Sequence, residues 1–219
     1  MALNWLKRAK AYRHVKLESE KSQFYSAGSV RFFLKEGSSI VVNRGSVHLG
    51  FPLPGSKPFA TFPETVVSMG ENSRFICNGD VFIAPGASIK IGDNATVIFD
   101  GDNLIGHNFT MICTNEFHFG ENSSLSWGVT MIDDDRHPFY KTDGTEIKPL
   151  SRKMIIGKNV GIQMNVIIPR GITIGENSIV SASVTLREDI PANQLIYQDV
   201  KLISKPGFTT GFGRDPGGR

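Results

Sequence analysis

The sequence predicts an all-β solenoid, and two patterns carry that prediction. Six apolar residues, Ile156, Ile162, Ile168, Ile174, Val180 and Leu186, recur at a strict spacing of six, with Gly157 and Gly175 following the first and the fourth. A helix sets apolar residues three and four apart and a half-buried strand sets them two apart, so a sustained period of six fits neither alone. It fits a chain whose short strands each turn one apolar side chain into a shared core before the backbone bends. Three such hexads make one coil, and Gly157 to Gly175 is one interval of that kind. The second pattern is Gly-x-Asn, found at 70–72, 92–94, 106–108, 120–122, 157–159 and 175–177. Gly and Asn both tolerate the positive φ of a tight bend, so these tripeptides read as corners. A β-sandwich of short strands is the alternative, but a sandwich does not hold a six-residue apolar beat across thirty residues.

The elements follow in order. Residues 1–28 read as an N-terminal appendage with a short helix from Asn4 to Tyr12, Asn4 as its N-cap and Trp5, Ala9 and Tyr12 on one face. That helix would cover the open β-edges of the solenoid end; peripheral contact with an anionic membrane is its lesser alternative. The solenoid domain is expected over 29–205. Within it, Phe51 to Pro58 is too Pro-rich for a ladder strand and reads as a protruding loop. Ile91, Ile105 and Phe119 each precede a corner Gly and sit fourteen apart, which reads as shortened or bulged coils. A second protruding loop, 133–153, interrupts the repeats just before the most regular coil, and 206–219 reads as a flexible tail.

Composition narrows the class of function. The formal charge is +3 over 219 residues, without the clustered basic stripe of a nucleic-acid binder, although the first twenty-one residues are locally basic. No apolar run approaches the roughly 20 residues of a membrane span. Met1 to Tyr12 lacks the apolar segment of a secretion signal, so the cytoplasm is the expected compartment. Cys77 and Cys113 fall in repeat strands and read as buried, reduced thiols.

The loop 133–153 carries the residues best suited to chemistry. It opens Asp133-Asp134-Asp135-Arg136-His137-Pro138, and Pro138 biases His137 towards an extended backbone. Residues two apart on extended chain share a side, so Asp133, Asp135 and His137 can face one way. A carboxylate beside an imidazole fixes its tautomer and stabilises the imidazolium, which suits a general base. The bland alternative is a solvated acidic loop whose His packs against Tyr140, and the motif alone leaves both open.

The six-residue beat, the Asp-x-Asp-x-His segment and the run Ile174-Gly-Glu-Asn-Ser-Ile-Val180 to Glu188-Asp-Ile-Pro191 resemble the left-handed β-helix, hexapeptide-repeat acyltransferases. Over roughly residues 65–205 the likeness is to the sugar O-acetyltransferases of capsule and lipopolysaccharide biosynthesis. It implies a left-handed parallel β-helix, a homotrimer with sites between neighbouring solenoids, acetyl-CoA as co-substrate, no metal, and His137 as general base. By the same resemblance Asp135 or Asp133 orients that His, and a backbone N–H near Gly161 or Trp127 meets the oxyanion. Trp127 and Tyr140 are the aromatic candidates for the sugar acceptor, Trp127 having the alternatives of stacking on CoA or of standing as an ordinary wall residue on an outer face. The pantetheine arm would pass Gly161, Ser181 and Ala182, and Lys201 or Lys205 would meet a CoA phosphate. Departures are plain: this chain has Val180-Ser-Ala-Ser-Val-Thr185 where relatives read Val-Gly-Ala-Gly-Ser-Val, and Gln198-Asp-Val-Lys201 where they read Gly-x-Pro-Ala-Lys. Two other readings stand beside this one. A γ-class carbonic-anhydrase-like metalloenzyme would use His107, His118 and His137, although His107 sits at a corner expected to point outward. A non-catalytic scaffold would follow if Ser181 and Ser183 closed the groove.

Overall fold

A computed structural model describes residues 11–53, 63–134, 139–147 and 151–199. Its strands run in triplets, one strand per face of a three-sided coil. The first coil is β1 (Val15–Leu17), β2 (Gln23–Ser26) and β3 (Val30–Leu34); the second is β4 (Ser39–Val42), β5 (Ser46–Leu49) and β6 (Thr65–Met69). Then come β7 (Arg74–Cys77), β8 (Val81–Ile83) and β9 (Ser88–Ile91), followed by β10 (Thr96–Phe99), β11 (Asn103–Ile105) and β12 (Thr110–Cys113). The last full coils are β13 (Glu116–Phe119), β14 (Ser124–Leu125) and β15 (Thr130–Ile132), and β16 (Met154–Ile156), β17 (Gly161–Ile162) and β18 (Ile167–Ile168). β19 (Thr173–Ile174), β20 (Ile179–Val180) and β21 (Leu195–Ile196) finish the stack.

Each strand pairs in parallel with its counterpart one coil on, giving sheets of seven, eight and six strands. The protein is a left-handed parallel β-helix. Sequence alternation explains the core: within a strand the buried residue is flanked by half-exposed ones, as in Thr96–Phe99 and Thr110–Cys113. Pairing then places like on like. Val42, Cys77, Phe99, Phe119, Ile156 and Ile174 form one interior column on the first sheet, every member at most 1% exposed. The rings of Phe99 and Phe119 stack at 4.4 Å, close to the strand spacing itself. Each such side chain contributes about 1.5–3 kcal/mol by leaving water.

The earlier coils differ from expectation. Ile91, Ile105 and Phe119 lie on three different sheets, so their spacing of fourteen does not measure a coil. On the third sheet Val67, Ile89, Met111 and Met131 are the true successive partners, at intervals of 22, 22 and 20 residues. The early coils are therefore longer than the eighteen from Ile156 to Ile174, and the surplus lies in strands of three to five residues where the late coils have two or three. β1 and β2 pair with β4 and β5, so the coils reach back to Val15, inside the segment 1–28 expected as an appendage. Most of the expected Asn4–Tyr12 helix, residues 54–58 of the Pro-rich loop and the tail 206–219 lie outside the described residues. No helix among the described residues is long and apolar enough to cross a membrane.

The corners also correct the reading of Gly-x-Asn. Asn72, Asn94, Asn108, Asn122, Asn159 and Asn177 take the positive φ, between 53° and 59°, whereas Gly175 and its five counterparts do not. The Gly is there for room: a Cβ on Gly175 would lie 2.3 Å from Ala192 N, and one on Gly157 would lie 2.6 Å from Glu176 N. Along one edge the corner side chains form a ladder in which Asn122 Nδ2 donates to Asn159 Oδ1, Asn159 to Asn177 and Asn177 to Asn193, at 2.9–3.1 Å. Asn103 points inward beside Val81, its aliphatic partner one coil back. Its carboxamide is satisfied there, accepting from Gly101 N–H and donating to Gly120 O and Ser123 Oγ. Cys77 and Cys113 are buried free thiols, and burial pushes both far above the ordinary thiol range.

Candidate active site

The loop leaves the solenoid at the corner between the third and first sheets, directly after β15. Asp133 is fully buried there. Both carboxylate oxygens accept from Thr114 N–H at 2.8 Å, Oδ2 also accepts from Asn115 N–H at 2.8 Å, and Oδ1 from the Thr114 hydroxyl at 3.0 Å. That corner lacks the Gly of Gly-x-Asn, and the Asp133 side chain ties it to the preceding coil instead. Burial pushes the Asp133 carboxyl above its usual range against the donated bonds, which pull it down. Asp133, the alternative to Asp135 as the carboxylate expected to orient His137, is thus engaged in holding the neck of the loop.

The neck is closed by an antiparallel bridge between Asp134 and Ser151 and by Arg152 N–H donating to Asp133 O. Further out, Tyr140 pairs with Glu146, Ile147 N–H donates to Phe139 O, and Lys141 N–H donates to Thr145 O, making a small hairpin. Its turn follows from chemistry: Gly144 takes φ +85°, and Asp143 Oδ1 accepts Thr145 N–H. Phe139, Tyr140 and Ile147 are all more than half exposed. Asp135 and His137 lie outside the described residues, as do Lys201 and Lys205.

Trp127 and Asp133 flank β15 at its two ends, no more than about 20 Å apart on extended chain. Trp127 sits half-buried on the corner between the second and third sheets, its indole edge-on to the ring of His107 at 5.3 Å. His107 is 3% exposed rather than outward-pointing, and burial lowers its pKa below 6.5. Corner succeeds corner: Asn165 N–H donates to Trp127 O and Ser183 N–H to Met164 O. Ala182 therefore lies two coils beyond Trp127, about 10 Å along the solenoid axis. Ser183, in place of a relative's Gly, carries a positive φ of 63°.

Gly161 lies on the second sheet, and its N–H donates to Ser178 O at 3.0 Å. That donor belongs to the ladder, so an oxyanion donor at Gly161 itself is not available. His118 is on the outer face of the first sheet with its Nε2 2.8 Å from Asp100 Oδ2, away from the corner that holds His107. Among the described residues no group of three His, Cys, Asp or Glu is placed to hold a metal. Sequence reasoning missed the Asp100–His118 pair because register, not spacing, puts a residue of β13 beside the residue after β10. It also missed Gln163, whose side chain reaches Ala182 one coil on.

Residues 153–188 match the family model described as bacterial transferase hexapeptide (six repeats). That match lies in the C-terminal coils, over β16 to β20. The chain is 29% identical over 130 residues to galactoside O-acetyltransferase of Escherichia coli (strain K12), covering 59% of each. It is 32% identical over 82 residues to an uncharacterized 24.8 kDa protein in the cps region of Klebsiella pneumoniae, covering 37% of this chain and 35% of that one. The chain thus spans under two thirds of the length of these curated relatives. Among solved structures it is similar to the polysialic-acid-specific acetyltransferase NeuO, at 16% identity and TM-score 0.42, covering 93% of this chain and 85% of that one. It is also similar to the polysialic acid O-acetyltransferase OatWY, at 17% identity and TM-score 0.44, covering 85% and 92%.

Proposed function

We propose that this hexapeptide-repeat protein is an acetyl-CoA-dependent O-acetyltransferase acting on a sugar hydroxyl in surface polysaccharide assembly. The observation that carries the reading is the interruption itself. The coils open at the corner after β15 with their register kept on either side, and the segment put out there is the one that reads Asp-Asp-Asp-Arg-His-Pro. The galactoside O-acetyltransferase likeness supports the choice of acetyl group and sugar acceptor.

In this reading His137 takes the proton of the acceptor hydroxyl as its oxygen attacks the thioester carbonyl. The C–O bond forms, the carbonyl electrons move onto oxygen, and their return expels CoA sulfur, which receives the proton from the imidazolium. General base catalysis of this kind is worth about 10²–10⁴-fold. Asp135 orients the ring, Asp133 being held by Thr114 and Asn115. Ser181 and Ala182 line the path of the pantetheine arm, Lys201 and Lys205 take CoA phosphate, and Trp127 and Tyr140 take the acceptor. The working unit is a cytoplasmic homotrimer, with the 133–153 loop reaching a neighbouring solenoid. The test is acetyl transfer from acetyl-CoA to a panel of sugars, nucleotide sugars and oligosaccharides, read by mass spectrometry. Acetylated product that vanishes in His137→Ala supports the reading; no product with any acceptor, together with no CoA binding, overturns it.

A further inference from the structure

The Ala182 corner carries one hydrogen bond that coil stacking does not supply. Ser181 N–H donates to Ile196 O and Ser183 N–H to Met164 O, so the residues on either side are held by backbone. Among the described residues no backbone carbonyl takes the Ala182 N–H. It donates instead to Oε1 of Gln163, one coil earlier, at 3.1 Å. Both residues are exposed, so an outward-facing backbone donor is paired with the free end of a flexible side chain. Gln163 itself is anchored through its own N–H to Val180 O, which fixes where that side chain starts. The corner also stacks over Trp127, two coils below.

Resting on the acetyl-CoA reading above, we propose that Gln163 sets acyl-donor affinity by competing for the Ala182 N–H. Its carboxamide oxygen occupies the place that an amide carbonyl of the donor's arm would take. The two acceptors are the same functional group, so the exchange conserves hydrogen bonds: the arm's carbonyl replaces Gln163 Oε1, which turns out to water. Binding therefore gains less from this donor than it would at a corner whose N–H faced only solvent. Ser181 and Ser183 do not close the corner in this account; Gln163 regulates it.

Shortening the side chain by one methylene in Gln163→Asn withdraws the competitor while keeping its polarity. CoA dissociation constant and KM for acetyl-CoA should both fall about three- to tenfold, the span of one ordinary net hydrogen bond, with kcat unchanged. Gln163→Glu presents a charged acceptor that holds the N–H more strongly. KM for S-acetylpantetheine, which lacks the nucleotide phosphates and their repulsion, should rise in that variant. CoA binding that is unchanged or weakened in Gln163→Asn overturns the proposal while leaving the acetyl-CoA reading in place. Failure of the parent and every variant to bind CoA overturns the acetyl-CoA reading, and the proposal with it.

Discussion

Replacing Gly175 by Ala tests how closely the coils stack. The added Cβ would lie 2.3 Å from Ala192 N and 2.7 Å from both Ala192 Cα and Pro191 C. All three are backbone atoms of the next turn, so no rotamer change relieves the overlap. Ordinary contact needs roughly an ångström more, and the chain from Ile190 to Asn193 would have to lift by that amount. Lifting it strains the bond from Gly175 N–H to Ile190 O and the one from Asn193 N–H to Glu176 O, now 2.7 and 2.8 Å. Overpacking of this kind costs about 1–3 kcal/mol, and rigid backbone neighbours put this site at the upper end. For a chain of this size that is a fall in Tm of about 6–12 °C. The control is Gly161→Ala, where the nearest atom to the new Cβ is Ile179 Cγ1 at 4.0 Å. A non-clashing Gly→Ala stabilises slightly by restricting the unfolded chain. Both variants are melted by circular dichroism at one protomer concentration, which keeps any assembly equilibrium fixed. If Gly175→Ala melts within two degrees of the parent, or Gly161→Ala falls as far, crowding by the next coil is not why glycine stands at this corner.

His137→Ala is expected to lower kcat for acetyl transfer by about 10²-fold or more with CoA affinity and Tm little changed, and Asp135→Asn to lower it by less; steady-state kinetics beside CoA titration checks both. Asp133→Asn turns one of two accepting oxygens into an amide donor facing N–H groups, and is expected to cost about 1–3 kcal/mol in urea unfolding, as buried donors lose their acceptor. His107 is held neutral by burial, its folded pKa below the ordinary 6.5, so the unfolded chain binds more protons just under that value. Stability should therefore fall as pH drops below 6.5 towards the folded value, and His107→Asn should flatten that part of the Tm profile. Light scattering should report a trimer, and an active monomer would remove the shared-site reading.

The regular coils were legible from sequence because a period of six has few structural meanings and Ile156 to Leu186 keep it without a slip. The earlier coils were not, since their strands have three to five residues and their apolar residues alternate within a strand as well as between strands. Spacing alone then cannot say which sheet a residue belongs to, and Ile91, Ile105 and Phe119 looked like one series when they are three. Gly-x-Asn marked the corners correctly but not the division of labour in them, because close approach between coils is a property of the stack. Asp133 belongs to the same class. Its alternation with Asp135 and His137 is visible in the chain, whereas its three donors sit nineteen and eighteen residues back. Trp127 was found as an aromatic near the loop, but its partner His107 comes from the coil before.

The neck at Asp134 and Ser151 separates two kinds of inheritance. β15 pairs with β18 and β13 with β16 as though nothing lay between them, so the stacked framework does not register what the excursion contains. Doubling the length of a closed loop costs only about 0.6 kcal/mol. The excursion is thus a cassette: it can lengthen, shorten or be exchanged for another chemistry while each turn of the framework keeps its neighbour. A chimera carrying a different excursion between Asp134 and Ser151 would keep its fold while its acceptor changed.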